Sequence, residues 1–446
     1  MITAADLLIY ARWIIPVEPA SAVYEQHALV IRDGRILAIL PAAQVHARYQ
    51  AKETVELPAH VLIPGFINAH THAAMTLLRG LADDLPLLPW LQEHIWPAES
   101  RWLSPEFVRN GSELAIAEML RSGTTCFNDM YFFPEVTAEV VRHGGIRACL
   151  GMIVVDFPTA WGNGPQEYLA KGTALRDKYK DDPLLSFAFA PHAPYSVAGN
   201  WLKEVRTLAD ELEVPVQTHL HETADEIEQS LKQYGKRPLA RLAELGLLTP
   251  NFMAVHMTQL TDAEINELVC CGVHVVHCPE SNLKLASGFC PVAKLLAAGV
   301  NVAIGTDGAA SNNDLDMLGE MRSAALLAKG VASNAAVVPA ATALRMATLN
   351  GARALGLDQD IGSLLPGKWA DITAVDLSAP ECQPLYNPLS QLVYAASRRQ
   401  VSDVWVAGEQ LLRGGQLTRL DLGHIMERTQ RWQERIALPQ AEIVQT

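Results

Sequence analysis

The sequence lacks a cluster of basic residues. Lysine and arginine number 35 against 49 aspartates and glutamates, which gives a formal net charge of −14 at pH 7. Proteins that grip a nucleic-acid backbone or an anionic membrane surface usually present a basic face. The composition therefore argues against nucleic acid and against a membrane surface as partners.

Long apolar runs and patterned cysteines are also missing. The apolar runs are far shorter than the ~20 residues that a membrane-spanning helix needs. The seven cysteines form no CxxC pair, and an odd, unpatterned set is typical of reduced cysteines in a protein core. The N-terminal segment has no basic region followed by an apolar block, so no signal peptide is expected. These features predict a cytoplasmic protein.

The chain has 446 residues, of which 49% are hydrophobic and 19% charged, and this length predicts one large domain and a smaller one. Strand-like segments with turns occupy both ends of the chain. We predict a small β-sandwich domain from residues 1–61 and 365–420. A metal-dependent barrel is expected over residues 62–364, and a C-terminal helix and tail over residues 421–446.

Short apolar strands alternate with helical stretches through the middle of the chain. Eight candidate strands cover residues 61–67, 124–128, 146–155, 184–190, 214–218, 252–255, 273–276 and 300–304. Eight such units over about 300 residues fit a (β/α)8 barrel. A doubly wound open sheet is the alternative, and it is weakened because no glycine-rich phosphate turn follows the first strand.

Polar residues that are capable of chemistry follow nearly all of these strands. They are Asn68, His70, His72, Asn128, Asp129, His192, His219, Glu222, His256, His277 and Asp307. The active site of a barrel lies at the C-terminal ends of its strands. Residues from so many strands converge on one point only if the sheet closes into a ring, so the pattern favours the barrel.

A His-Thr-His segment offers two metal ligands. His70 and His72 are spaced i, i+2, so on a strand both side chains point to the same side. His219 supplies a third imidazole and Asp307 a carboxylate, whereas His221 is expected to be turned away. Three histidines and one aspartate, with no thiolate, suit Zn²⁺, and Fe²⁺ or Mn²⁺ fit the same ligands. We predict one divalent metal ion at these four residues.

The chain resembles the amidohydrolase superfamily in the segments PGFINAHTH (64–72) and HLHE (219–222), and in His256 and Asp307, which follow in the same order. Within that superfamily it is similar to the 5-methylthioadenosine/S-adenosylhomocysteine deaminase family through the segments MTLLRG (75–80), PWL (89–91) and IWPAE (95–99). The resemblance covers essentially the whole chain. It implies hydrolytic deamination of a small molecule, an adenine nucleoside.

The resemblance also implies substrate-binding residues. The substrate-contacting glutamate and histidine of the family match Glu99 and His192, and a carboxylate can accept two hydrogen bonds from a ribose diol. Binuclear members carry a bridging lysine where the fourth strand here ends in His192, so a single metal is expected. An arginine that some members use for the substrate carboxylate has no match between Arg147 and Arg176. That absence favours 5′-methylthioadenosine over S-adenosylhomocysteine and leaves adenosine open.

Deamination by water requires a nucleophile and two proton transfers. A bound metal lowers the pKa of its water from about 15.7 to about 7, and Asp307 can accept a proton from that water. Glu222, three residues beyond His219, is the candidate that contacts the substrate ring and protonates its nitrogen. His256 is expected to hydrogen-bond the water and the new oxygen.

Other functions fit the same scaffold. Guanine, another purine base and an aminated or chlorinated triazine are alternative substrates, the last through chlorohydrolysis. A barrel that serves only as a binding scaffold is expected to lose metal ligands, and all four are present here. We expect a homo-oligomer, most simply a homodimer.

Overall fold

Two eight-stranded sheets organise the part of the chain that the structure, a computed structural model, describes, which is residues 2–437. Residues 438–446 of the predicted C-terminal tail lie outside the described residues. The strands are β1 (Thr3–Ile14), β2 (Tyr24–Arg32), β3 (Arg35–Pro41), β4 (Tyr49–Pro64), β5 (Phe66–Thr71), β6 (Thr124–Asp129), β7 (Arg147–Val154), β8 (Leu185–Pro191), β9 (Val216–Leu220), β10 (Phe252–His256), β11 (His274–His277), β12 (Val302–Ile304), β13 (Ile372–Asp376), β14 (Val401–Val406), β15 (Glu409–Arg413) and β16 (Gln416–Leu417).

Strands β5 to β12 form a parallel sheet in which each strand pairs with the next one along the chain. Hydrogen bonds join its two edges. Asn68 Nδ2 donates to Thr306 Oγ1 at 2.7 Å, and Thr306 N donates to Asn68 Oδ1 at 2.9 Å. Asp307 N donates to His70 O at 3.0 Å. The (β/α)8 barrel predicted from the strand count is therefore confirmed.

Helices connect the strands and surround the barrel. They are α1 (Ala42–Arg48), α2 (Leu87–Pro89), α3 (Trp96–Trp102), α4 (Pro105–Arg121), α5 (Pro134–Gly144), α6 (Pro165–Tyr179), α7 (Gly199–Leu212), α8 (Ala224–Tyr234), α9 (Pro238–Glu244), α10 (Asp262–Cys271), α11 (Pro279–Lys284), α12 (Val292–Ala297), α13 (Ala309–Asn312), α14 (Met317–Ala332), α15 (Ala340–Met346), α16 (Leu349–Ala354), α17 (Pro388–Tyr394) and α18 (Leu422–Ala437). A π-helical turn, Trp90–Ile95, joins α2 to α3. Within residues 2–437, no helix has the length and apolar character needed to cross a membrane.

Sequence signals account for the ends of several helices. Ser104 accepts a hydrogen bond from Phe107 N and Pro105 follows it, so α4 begins where a polar N-cap and a proline meet. Thr261 and Glu264 form a capping box at the start of α10, and Gly272, with φ +69°, ends that helix in the left-handed region.

The second sheet takes strands from both ends of the chain, in the order β16-β15-β14-β13-β4-β1-β2-β3. All its neighbours are antiparallel except β1 and β4. Alternate residues of β1 pack on opposite faces, with Leu7 and Ile9 in one apolar cluster and Leu8 and Tyr10 in another. The predicted small β domain from both chain ends is confirmed, and its strands form one continuous sheet. The domain boundaries stay predictions.

The first barrel strand begins later than the sequence pattern indicated. Residues 61–64 belong to the end of β4 in the small sheet, and the barrel strand is β5. Gly65 separates the two, and a Cβ at this position would collide with the side chain of Thr125. The apolar pattern runs through this change of sheet without interruption, so it concealed the break.

A buried ion pair ties the barrel to the small sheet. Arg147 opens β7, and its Nε and Nη2 donate to Asp371 at 3.0 and 3.2 Å. The two side chains are 6% and 3% exposed. Asp371 Oδ1 also accepts from Ala407 N at 2.7 Å, and its carbonyl accepts from Gly65 N at 3.0 Å. Removal of one partner would leave the other as an uncompensated buried charge.

We expect Asp371→Ala to lower the free energy of unfolding by about 3–5 kcal/mol, because the Arg147 guanidinium would remain buried without its partner. The double variant Arg147→Met/Asp371→Ala should recover much of that loss. Urea unfolding would measure both. As a control, Glu228→Gln breaks an exposed pair with Lys232 and should cost less than about 1 kcal/mol. If Asp371→Ala lowered the free energy of unfolding as little as this control does, the result would contradict a buried ion pair between Arg147 and Asp371.

Candidate active site

Four side chains meet at the C-terminal end of the barrel. His70 lies in β5, His72 directly after it, His219 in β9 and Asp307 after β12. One ligand atom from each lies within 4.8 Å of all the others. His70 Nε2 is 3.1 Å from His219 Nε2, and His72 Nε2 is 3.1 Å from Asp307 Oδ1. The pattern had predicted this group of residues, and the structure brings them together.

The Nδ1 atom of each of the three histidines in this group faces an oxygen acceptor. His72 Nδ1 lies 2.6 Å from Met130 O, His219 Nδ1 lies 2.8 Å from His192 O, and His70 Nδ1 lies 3.4 Å from Gln217 Oε1. Such partners fix the ring orientation and leave Nε2 free as a ligand atom. Burial lowers the pKa of His70 to about 4 and that of His219 well below its usual value. Both rings are therefore neutral at pH 7.

Asp307 is held by hydroxyl and backbone donors. Its Oδ2 accepts from Ser281 Oγ at 2.7 Å and from Ser311 Oγ at 2.8 Å, and its Oδ1 accepts from Gly308 N at 2.8 Å. Its backbone has φ +63°, in the left-handed region that non-glycine residues seldom adopt. Burial raises the pKa of Asp307, but its contacts with the His70 and His72 imidazoles outweigh this effect and hold the pKa well below its usual value.

The donor set fits one divalent metal ion. It offers three imidazole nitrogens and one carboxylate oxygen, of the kind that divalent transition metals take in proteins. Outer-sphere partners orient all four side chains, as they do in metal sites. Among residues 2–437, it is the one group of histidine, cysteine and acidic side chains with this spacing.

Glu222 lies two residues beyond β9 and is buried. Its turn passes through His221, with φ +52°, and is held by Glu226 on α8, whose carboxyl accepts from His221 N at 3.1 Å and from Glu222 N at 2.7 Å. Burial, and next the charge of Asp307, raise the pKa of Glu222 to about 8. The Glu222 carboxyl therefore carries a proton at neutral pH.

His256 ends β10 with a backbone φ of +77°. Its Nδ1 lies 2.9 Å from Asn282 Oδ1 on α11, and its Nε2 lies 3.8 Å from Glu222 Oε2. The ring stacks against His219, with centroids 5.4 Å apart and planes at 21°. Burial lowers the pKa of His256, so the ring is neutral. A strained backbone of this kind is often found at functional sites.

Glu99 and His192 line the same pocket from two other elements. Glu99 lies on α3, and Tyr131 Oη donates to its Oε1 at 2.7 Å. Burial raises the pKa of Glu99 to about 6, against the effect of this hydrogen bond. His192 follows β8, with Nδ1 3.0 Å from Ser196 Oγ. One oxygen of Glu99 thus stays free to accept hydrogen bonds from a ligand.

The rest of the pocket wall is mostly apolar. It includes Met75, Leu87, Trp90, Leu91, Ile95, Trp96, Leu103, Phe132, Ile153, Val155, Phe157 and Leu285. Trp96 and Phe157 lie across from one another with ring centroids 6.4 Å apart, and Phe157 is 41% exposed. Among the described residues that line the pocket, none is lysine or arginine. The pocket therefore suits a small, largely apolar molecule with no strong negative charge.

Seven of the eight predicted site residues line this pocket: His72, Glu99, His192, His219, Glu222, His256 and Asp307. The eighth, His70, is fully buried within the ligand group. His221 is turned away, as expected, since its Nε2 accepts from Leu239 N at 3.0 Å. Asn128 instead bonds to Gln217 inside the barrel, at 2.9 and 3.0 Å. The roles of the eight residues stay predictions.

Sequence reasoning missed several supporting residues. Tyr131 contacts Glu99, Gln217 contacts His70, and Asn282 contacts His256. Ser281 and Ser311 both contact Asp307. Ser281 and Asn282 lie four and five residues after the seventh barrel strand. A search that extended past the first polar residue after each strand would have included them.

Comparisons with known proteins agree with this geometry. The sequence pattern of the amidohydrolase family matches residues 61–411. The chain belongs to the amidohydrolase family. A 5-methylthioadenosine/S-adenosylhomocysteine deaminase from Teredinibacter turnerae is 52% identical over 434 residues, covering 97% of this chain and 98% of the relative.

Solved structures extend the comparison of this amidohydrolase. An adenosine deaminase from Xanthomonas campestris, crystallised with bound zinc, is 55% identical with a TM-score of 0.97, covering 98% of this chain and 99% of that chain. An atrazine chlorohydrolase from Arthrobacter aurescens has a TM-score of 0.89 at 23% identity, covering 96% and 99%. A likeness at that identity shows the fold alone. The predicted superfamily and its resemblance to these deaminases are confirmed.

We expect His219→Ala to lose bound metal, because it removes one of four ligand atoms. The loss of affinity should exceed the ~10–100-fold that removal of an outer-shell partner costs. Elemental analysis after dialysis against buffered metal would measure it. His221→Ala, two residues away with its ring turned aside, is the matched control and should retain one metal ion per chain. Equal metal content in the two variants would contradict the ligand assignment.

Proposed function

We propose that this amidohydrolase deaminates an adenine nucleoside, converting 5′-methylthioadenosine and water to 5′-methylthioinosine and ammonia. The observation that carries the proposal is one pocket in which the metal-ligand group and the protonated Glu222 lie together with a second carboxyl group, Glu99. The names of the Teredinibacter relative and the Xanthomonas structure support the reaction and the substrate class. A homodimer and a cytoplasmic location stay predictions.

His70, His72, His219 and Asp307 would hold a single metal ion, for which we propose zinc. The nitrogen and oxygen donors suit zinc, and the Xanthomonas structure contains it. Fe²⁺ and Mn²⁺ are compatible with the same donors. When bound, the ion lowers the pKa of a water molecule from about 15.7 to about 7 and so supplies the nucleophile.

Glu222 and Asp307 would move the protons. Glu222 gives its proton to the ring nitrogen beside the attacked carbon, while Asp307 takes one proton from the attacking water. The proton on Asp307 then passes to the amino group, the carbon–nitrogen bond breaks, and ammonia leaves. Glu222 recovers a proton from the new hydroxyl as the ring carbonyl forms. Both carboxyl groups thus return to their starting states.

His256 would act on the attacking water and the new oxygen through its Nε2. This atom lies on the Glu222 side of the ring, 3.8 Å from Glu222 Oε2. A positioned hydrogen-bond partner for the oxygen at the reacting centre is typically worth about 10²–10³ in rate.

Glu99 and His192 would bind the nucleoside. The ionised form of Glu99 can accept hydrogen bonds from both ribose hydroxyls, and Tyr131 holds the carboxylate in place. His192 is oriented by Ser196 at 3.0 Å and would contact the purine ring. A free base such as guanine, or a triazine, has no diol to pair with Glu99, so the nucleoside is the better match.

The apolar wall favours an uncharged substituent at the 5′ position. Ile153, Val155 and Phe157 line the pocket in the segment between Arg147 and Arg176, which contains no arginine. Without a lysine or arginine among the described lining residues, the carboxylate of S-adenosylhomocysteine would lack a partner. A methylthio group needs none and gains from contact with apolar side chains.

We expect Glu222→Gln to lower kcat by about 10²–10⁴-fold, because the amide can donate a hydrogen bond but cannot transfer a proton. The change in absorbance from adenine to hypoxanthine would measure turnover. Metal content should remain that of the wild type, which separates loss of the acid from loss of the ion. Near-wild-type turnover by this variant would exclude Glu222 as the proton donor.

We expect kcat/KM for 5′-methylthioadenosine to exceed that for S-adenosylhomocysteine by about 10-fold or more, the cost of an unpaired charge. Phe157→Arg should reduce this difference in kcat/KM, because it places a cation at the exposed edge of the pocket. Phe157→Leu, the matched control, should leave the difference unchanged. Ammonia release would be compared across both substrates, adenosine, guanine and a chlorotriazine. Turnover of guanine or the triazine alone would favour the alternative substrates.

A further inference from the structure

Two consecutive residues of α11 hold two different reacting groups. Ser281 Oγ donates to Asp307 Oδ2 at 2.7 Å, and Asn282 Oδ1 lies 2.9 Å from His256 Nδ1. Neither residue lines the substrate pocket as the structure describes it. Both therefore act on the site only through the side chains that they contact.

The Asn282 amide uses only its oxygen for side-chain contact. The residue is 1% exposed, and within residues 2–437 its Nδ2 has no hydrogen-bond partner. An unpaired buried donor is destabilising, so an apolar side chain would pack here at lower cost. The position of Oδ1 against His256 is the feature that offsets this cost.

This contact determines which nitrogen of His256 carries the proton. A neutral imidazole has one N–H donor and one bare acceptor nitrogen. The amide oxygen can only accept, so the proton lies on Nδ1 and Nε2 keeps its lone pair. Nε2 lies on the side of Glu222, with Glu222 Oε2 3.8 Å away.

We propose that Asn282 is a positioning residue that holds His256 as the Nδ1–H tautomer, so that Nε2 accepts a hydrogen bond from the attacking water. The part of Nε2 in the reaction rests on the proposed function, whereas the tautomer of His256 does not depend on it. This tautomer refines the role of His256, whose Nε2 orients first the attacking water and then the new hydroxyl by accepting a hydrogen bond from each.

The tautomer is measured directly by nitrogen-15 NMR of the full chain loaded with zinc and labelled in its histidine rings. His256→Gln assigns the resonances. We expect Nδ1 of His256 to be the protonated nitrogen and Nε2 the unprotonated one. A protonated Nε2 with a bare Nδ1 overturns the proposal, whatever the substrate proves to be.

Two substitutions separate positioning from packing. Asn282→Leu removes the acceptor, so the Nδ1–H form should lose its preference and kcat should fall by up to about 10²-fold, the lower end of what a positioned acid–base group contributes. KM and metal content should change little. Asn282→Asp keeps an oxygen in the same place and should restore both the tautomer and most of kcat.

A merely structural role predicts the opposite order, because Asn282→Asp buries a carboxylate and should do at least as much damage as Asn282→Leu. The proposal is therefore overturned if kcat of Asn282→Asp is no higher than kcat of Asn282→Leu. If wild-type protein deaminates no nucleoside, the proposed function fails, and the NMR measurement still decides the tautomer.

Discussion

The paired hydrogen bonds between Asn68 and Thr306 close the barrel, and the geometry of the site depends on that closure. His70 lies two residues after Asn68, and Asp307 comes directly after Thr306. Gly305 makes the approach possible, since a Cβ there would lie 2.6 Å from His70 N. Ligands far apart in the chain thereby meet without any flexible segment between them and the sheet.

The parts of the site that lie at strand ends could be predicted from the sequence, and the parts set by packing could not. His70, His219 and Asp307 follow apolar strands, and parallel strands that close into a ring must bring their ends together. Glu99 lies on a helix, so only the family resemblance identified it. The partners Tyr131 and Asn282 depend on how α3 and α11 pack over the barrel, which local periodicity does not encode. The end of β4 could not be predicted for a related reason, because one continuous apolar segment contributes strands to both sheets.

The electrostatics of the pocket follow from its apolar wall. Glu99, Glu222 and Asp307 all face a pocket whose described lining residues include no lysine or arginine. Burial raises the pKa of Glu222 to about 8 and that of Glu99 to about 6, whereas contacts with the imidazoles keep Asp307 ionised. Three carboxyl groups therefore have different protonation behaviour within one small volume. A divalent cation held by the ligand group would balance part of the negative charge of these carboxyl groups.

The pocket is built from two sets of segments with separate structural origins. The reacting groups come from strand ends locked into the barrel, whereas much of the wall comes from residues 87–103 and 155–160, which lie in connections outside the closed ring. Substitutions in these connections alter the shape offered to a substrate without moving the ligands or the proton-transfer groups. Such a division lets descendants of one ancestral scaffold acquire new substrates by drift in the connections while their chemistry is inherited unchanged.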